Sequence, residues 1–340
     1  VSKRLVYNGV HRYPDAPYPH IVCSYGTAIV AGLRQRGHDI EQWNFWSTDD
    51  RQTPTADAYD GVIINEVSHL DLWRRVVPAW DWANKFSLFW CHGVSLQQRA
   101  QLRFANTHTT RVAATGPDVL AAYTRLCGDR SAPFLLRMLP LWDCWAETPT
   151  ASPYADGPAY LWAGRVTWRA VEALLALTEI LPADRFHLIH DDVNDAAWMR
   201  RSGELKPAAV ELLRRGVHSY SAKSHGTFNE YYWHAAVGLD VLTALAQPAA
   251  YVAMNCKVID YVSAGLPIVS EWQAPGNWLY ADRDWCRQVF PGDWESYAAA
   301  IVELSEQVQN RPANQHEIRQ RFDFEDSLDV LSGELRQHGF

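Results

Sequence analysis

Two sets of residues in this chain could do chemistry. The first is acid–base. Glu66 and His69 stand three residues apart at the end of the apolar run Asp60–Val67 (DGVIINEV), His92 closes the run Phe86–His92 (FSLFWCH), and His11 follows the first apolar run. Carboxylates and imidazoles at strand ends can take a proton from a hydroxyl as general bases, and a carboxylate held against a histidine raises its basicity. Glu66 ranks first for that role, His92 second and His11 third. The second set lies in Asn255–Glu271 (NCKVIDYVSAGLPIVSE). Lys257, Asp260 and Tyr261 open an apolar-faced helix, Ala264, Gly265 and Pro267 end it, and Ile268 and Val269 begin a buried strand. Gly265 suits the position just past a helix end, where positive φ carries little penalty, and Pro267 cannot continue the helix. A short helix bearing a cation and a carboxylate therefore stops before a strand that ends on Glu271. Asn255 could cap that helix or contact a phosphate. Helix–Gly–x–Pro–strand is also ordinary punctuation in α/β proteins, so the segment needs support from the rest of the chain.

Metal chemistry is not signalled. His187, His190, His218, His225 and His234 match no standard ligand spacing and fall on different elements, and the six cysteines include no CxxC pair. Asp49-Asp50 and Asp191-Asp192 are adjacent pairs in loops rather than a spaced acidic metal motif. The polar stretch Ser221–Asn229 (SAKSHGTFN), ahead of a helix, could cradle a phosphate or simply cap.

The elements that must hold these residues alternate in type. Strands are expected at 4–9, 36–43, 60–67, 86–92 and 110–114, with helices at 24–36 and from Pro117. A stretch rich in Pro, Thr, Ser, Asp and Gly, Trp142–Pro158, then breaks the pattern. The cycle restarts with strands at 159–163, 186–189, 217–220 and 238–244 and helices at 170–180, 208–215 and 225–236, followed by the 255–271 unit and an amphipathic helical end. Two successive α/β halves imply an α/β protein of two Rossmann-like domains facing across a cleft, with ligands at the C-terminal ends of the strands.

Composition fits that reading. A chain of 340 residues that is 48% hydrophobic and 21% charged can give two domains a core each. A formal net charge of −8 disfavours a protein that holds nucleic acid by bulk electrostatics, though not a local basic groove. No apolar run approaches the roughly 20 residues of a membrane span, and no signal-peptide pattern opens the chain, so a cytoplasmic protein without an integral membrane segment is expected. Sixteen Trp and 15 Tyr suit sugar faces, but they suit cores equally.

The Asn255–Glu271 segment resembles the nucleotide-sugar site in the C-terminal domain of GT-B glycosyltransferases, the group 1/family 4-like superfamily, where an acidic residue and an aromatic precede "AAGLPIV". Three further stretches are similar to that family in the same order: Gly26–Ile40 (GTAIVAGLRQRGHDI), Phe89–Gly93 (FWCHG) and Leu161–Arg165 (LWAGR). The resemblance implies an N-terminal acceptor-binding domain over 1–150, a donor domain over 151–320, and a final segment 321–340 crossing back to the first domain. It puts Asp260 on the donor ribose and Arg165, at the Gly164-Arg165 turn, on the diphosphate. Lys257, Asn255 and Glu271 are further donor-binding candidates. The family's lysine just past "GR" is missing, since Thr167, Trp168 and Arg169 stand there. Val252 occupies the place of the first glutamate of many retaining members, which favours inversion. The implied activity is metal-independent, cofactor-free transfer of a sugar from a nucleoside diphosphate sugar, a UDP-sugar foremost, to an unidentified acceptor hydroxyl on a glycan, lipid-linked sugar, natural product or modified base. The alternative functions are a nucleotide-sugar 2-epimerase of the same fold, a DNA-base glucosyltransferase, and a non-catalytic nucleotide- or sugar-binding module.

Overall fold

The computed structural model describes residues 3–9, 21–43, 53–137, 151–154, 157–164, 168–190, 205–221, 228–241, 251–253, 256–272, 274 and 276–340. His11, Arg165 and Asn255, most of the Ser221–Asn229 loop and much of the Trp142–Pro158 connection lie outside them. Contacts divide the chain into two compact units. The first takes 1–139, 249–256 and 323–340, and the second takes 140–248 and 257–322.

The first unit is a parallel sheet. Its strands are β1 (Arg4–Asn8), β2 (Asp39–Trp43), β3 (Gly61–Asn65), β4 (Phe86–Cys91), β6 (Arg111–Ala114) and β7 (Phe134–Leu135), in the order β2-β1-β3-β4-β6-β7. β3 (GVIIN) and β4 (FSLFWC) are buried at every residue, as unbroken apolar runs covered on both faces require. Helices α1 (Ile21–Gln35), α2 (Glu66–Val76), α3 (Arg99–His108) and α4 (Pro117–Cys127) accompany it. Trp43, Trp73 and Trp80 meet edge to face within its core, so these tryptophans pack rather than wait for a ligand.

Two expected strands end early here. DGVIINEV stops at Asn65, and Glu66 turns with φ +62° into α2, a helix the apolar run concealed. FSLFWCH stops at Cys91; His92 makes the turn into β5 (Gly93–Ser95). β5 pairs antiparallel with β12 (Tyr251–Ala253), Gly93 opposite Ala253 and Val94 opposite Val252. Val252 lies in a strand and packs on the first unit's core.

The second unit repeats the pattern with β8 (Tyr160–Ala163), β9 (Phe186–His190), β10 (His218–Ser221), β11 (Val237–Asp240), β13 (Ile268–Glu271) and β14 (Cys286–Val289), ordered β10-β9-β8-β11-β13-β14. The chain runs outward from β8 through β9 to β10, then returns to β11 on the other side of β8. That reversal is a topological switch point, where parallel sheets take ligands. Its helices are α5 (Trp168–Leu177), α6 (Leu205–Arg215), α7 (Phe228–His234), α8 (Cys256–Ser263), α9 (Trp294–Ser305) and α10 (Arg311–Arg321). The described part of the expected helix over 225–236 is α7, which ends at His234, and the described part of the strand over 238–244 ends at Asp240. The last helix, α11 (Phe324–Gln337), belongs to the first unit, where Arg36 pairs with Glu325 and Asp329, and Arg111 with Glu334.

Candidate functional site

In the second unit the polar residues gather where β8 and β11 part. Tyr261 fastens them: its buried hydroxyl donates between the carbonyls of Leu161 (3.1 Å) and Leu239 (3.3 Å) and accepts the Ala163 N–H at 3.1 Å. Gly238 admits the ring, since a Cβ there would stand 2.8 Å from it. Gly265 ends α8 at φ +63°, and a Cβ would press to 2.4 Å from the Arg311 carbonyl, so this position needs glycine twice over. The Arg311 guanidinium donates to the Tyr232 and Trp233 carbonyls at the end of α7, where a cation suits the helix dipole.

On this frame Lys257 is buried with its Nζ 3.3 Å from Asp240 Oδ1 and 5.0 Å from the centre of the Trp162 ring. The Tyr280 hydroxyl donates to the other Asp240 oxygen at 3.0 Å. Burial lowers the Lys257 pKa, and the charges of Asp240 and Glu271 oppose it. Glu271 is itself buried at the end of β13. Lys257 and Glu271 thus come together as expected candidates, with Asp240 and Tyr280 added. Gly164 is exposed at φ +131° just past β8. Asp260, one turn along α8 from Lys257, is half-buried and accepts a hydrogen bond from the Tyr232 hydroxyl. Burial pushes its carboxyl up to about 8, with Tyr232 opposing. At neutral pH the unliganded carboxyl is therefore mostly protonated.

In the first unit Glu66, His69 and His92 are neighbours. Ser68 donates its hydroxyl to Glu66 Oε1 at 2.5 Å, and His69 Nδ1 lies 3.6 Å from the same oxygen. His69 is buried on α2, not loose beyond the strand. His92 is pushed down to about 4 by burial, with Glu66 opposing and His69 adding to the shift. It is neutral at physiological pH and a weak base. A positive φ at a residue other than glycine costs about 1–3 kcal/mol and collects at functional sites, so the backbone as well as the side chain marks Glu66.

Asp240, Tyr280 and Tyr232 were not singled out in the sequence. Asp240 alone left a signal, as a single carboxylate inside the apolar stretch Val237–Leu242 that burial would oblige to find a cation. Among the described residues no group of three or more His, Cys, Asp or Glu is placed to hold a metal. His187 and His218 instead stack at 4.7 Å across β9 and β10, and His187 Nδ1 meets the Tyr220 hydroxyl at 3.1 Å.

These shifts set a pH optimum for stability. His92 and His187 both sit near 4, below the ordinary histidine value of 6.5, so between those limits the unfolded chain binds protons the native one does not, and stability rises with pH. His38, His69 and His338 are lowered in the same sense. Asp260 acts oppositely: from about 4 to about 8 only the native chain holds its proton, and stability falls with pH. At about 1.4 kcal/mol per pH unit for each proton, the histidines prevail below pH 6.5 and Asp260 prevails above it. Melting temperature measured from pH 4 to 9 should peak near 6.5, and Asp260→Asn should flatten the alkaline limb.

No protein-family model matches the sequence, and no curated protein matches it. Solved structures do. Sucrose-phosphate synthase from Thermosynechococcus elongatus aligns with a TM-score of 0.69 at 16% identity over 98% of both chains. Anabaena Alr3699/HepE in complex with UDP aligns at 0.65 and 14% over 98% of this chain and all 100% of that one. A glycosyltransferase from Rickettsia africae aligns at 0.66 and 13% over 99% of this chain and 98% of its own. These are glycosyltransferases of the GT-B architecture, and this chain has the GT-B fold.

Proposed function

We propose that this chain is a glycosyltransferase that moves a sugar from a nucleoside diphosphate sugar, a UDP-sugar foremost, to an acceptor hydroxyl, without a metal ion and with inversion. The observation that carries the reading is the buried Lys257 ammonium at the switch point of the second unit's sheet, held by Asp240 beside Glu271. As the glycosidic bond breaks, the departing diphosphate gains negative charge, and a fixed cation together with the amino end of α8 can stabilise it. Arg165 would add a second cation. Asp260 would hold the ribose hydroxyls, with Tyr232 fixing its orientation. The acceptor oxygen bonds to the anomeric carbon while the bond to the diphosphate oxygen breaks, and the acceptor proton passes to Glu66. Similarity in fold to Alr3699/HepE, which binds UDP, supports the choice of nucleotide.

Binding tests this directly. UDP at a hundred times its dissociation constant should stabilise the protein by about 2.7 kcal/mol, in EDTA as well as in magnesium, and GDP, ADP and dTDP should do less at equal concentration. Asp260→Ala should remove the shift. If none of the four nucleotides raises the melting temperature, the donor assignment is wrong.

A further inference from the structure

Among the described residues only two aromatic side chains stand exposed, Phe290 at 69% and Trp272 at 47%. Every other Trp, Tyr or Phe with a described side chain is buried or partly buried. The exposed two are neighbours. Trp272 follows β13 and Phe290 follows β14, and these strands run parallel with Glu271 opposite Val289, so the rings take the next register positions. Their centroids lie 5.9 Å apart and their planes are inclined by 22°. Carbon atoms in direct contact stand about 3.5–4.0 Å apart, so the two rings are offset and each keeps part of a face in solvent.

The backbone holds this arrangement. The Trp272 N–H donates to the Val289 carbonyl at 2.8 Å, which carries the ladder one step past β13. The Asp293 N–H donates to the Phe290 carbonyl at 3.1 Å and closes a turn in which Gly292 takes φ +87°. Glu271, next in the chain to Trp272, is buried, whereas Trp272 turns outward. The aromatic pair therefore stands outside the buried cluster of Lys257, Asp240 and Glu271.

Size and charge say what covers it. Two side chains of about 150–250 Å² each, only partly exposed, fall far short of the about 800 Å² that each side of a stable protein interface buries. No other large apolar side chain is exposed among the described residues of 256–301. A pyranose ring matches the area, because its C–H face can lie on the negative face of an aromatic ring while its hydroxyls stay in water. Charge removes the anionic alternatives. Arg287, the one cation of β14, is held by Glu303 at 2.5 Å, and Asp293 and Glu295 follow Phe290. A phosphate or uronate would meet carboxylates there.

We propose that Trp272 and Phe290 form a platform for the pyranose rings of an uncharged oligosaccharide, a binding surface apart from the donor-binding residues. Resting on the transfer reading above, the platform holds a glycan chain on the enzyme, so the substrate class is an oligosaccharide or polysaccharide and not a small aglycone.

Saturation-transfer NMR and titration calorimetry on the full chain test this with maltopentaose, cellopentaose, mannopentaose and chitopentaose, set against pentagalacturonate and UDP. At least one neutral pentasaccharide should bind, about tenfold or more tighter than pentagalacturonate. Phe290→Ala and Trp272→Ala should each weaken it about threefold to tenfold, the loss of one aromatic contact, and Phe290→Trp should retain it. Phe290→Ala should leave UDP affinity and melting temperature unchanged. No binding of any neutral pentasaccharide, equal binding of pentagalacturonate, or binding indifferent to Phe290→Ala would each overturn the proposal. So would a parallel loss of UDP affinity in Phe290→Ala, which marks a nucleobase contact, or a loss of self-association in ultracentrifugation, which marks an interface between copies. UDP titrated in the same samples keeps the two ideas apart: its failure to bind sinks the transfer reading, while the pentasaccharides still judge the platform.

Discussion

Glu66→Gln should lower kcat for UDP release from a UDP-sugar by about two to four orders of magnitude, the usual contribution of a positioned general base, with the dissociation constant for UDP unchanged. The amide keeps the shape of the side chain and loses only its ability to take a proton. On the proposed reading Glu66 rather than His92 is the base, because burial holds the imidazole near 4, where it has little affinity for the proton of a hydroxyl. Glu66 is also held in place: Ser68 donates to Oε1, His69 stands behind the same oxygen, and the backbone adopts φ +62° to begin α2 there. That conformation suits glycine better than glutamate. Glu66→Gly should therefore abolish turnover while melting no earlier than the unaltered protein, because relief of strain of about 1–2 kcal/mol offsets the lost contacts. A structural role for Glu66 demands the reverse, early melting with activity retained. Where no acceptor is supplied, slow hydrolysis of the UDP-sugar by water serves as the assay.

The sequence made the frame readable and concealed its turns. Strands such as GVIIN, FSLFWC and YLWA are apolar at nearly every position, and covered parallel strands leave that mark plainly. The described part of the 255–271 unit, from Cys256 to Glu271, is legible in the sequence, because Gly265 and Pro267 allow little besides a helix stop followed by a strand. Periodicity could not show that DGVIINEV is a strand joined to a helix at Asn65, since Glu66 and Val67 continue the apolar–polar pattern whichever element they occupy. Nor could it show β12 leaving the second half of the chain to pair with β5, because a contact between residues so distant in sequence leaves no local trace. The same limit hid Tyr232 and Tyr280, which matter only through the carboxylates of Asp260 and Asp240 that they reach across the fold. Candidate site residues on recognisable elements are therefore accessible from the chain, and the hydrogen-bond partners that orient them are not.

Asp240 is where such a partner should prove most costly to remove. Asp240→Ala takes away the counter-ion of Lys257 and the acceptor of the Tyr280 hydroxyl in one step, with the two ion-pair side chains only 1% and 3% exposed. Stranding a buried charge typically costs about 3–5 kcal/mol, which urea denaturation will measure. Lys257→Met should cost a comparable amount by stranding the carboxylate. The double variant Asp240→Leu/Lys257→Met exchanges the pair for apolar groups of similar size and should recover most of the loss, so that the cycle reports a large favourable coupling. With its stability recovered, the double variant is expected to separate stability from function. If the pair exists to present an ammonium to the donor diphosphate, the double variant must bind UDP at least about tenfold more weakly than the unaltered protein, the loss of one charge-assisted contact. If it binds UDP equally well, the ion pair only organises the end of the sheet, and the diphosphate falls to Arg165 and the amino end of α8.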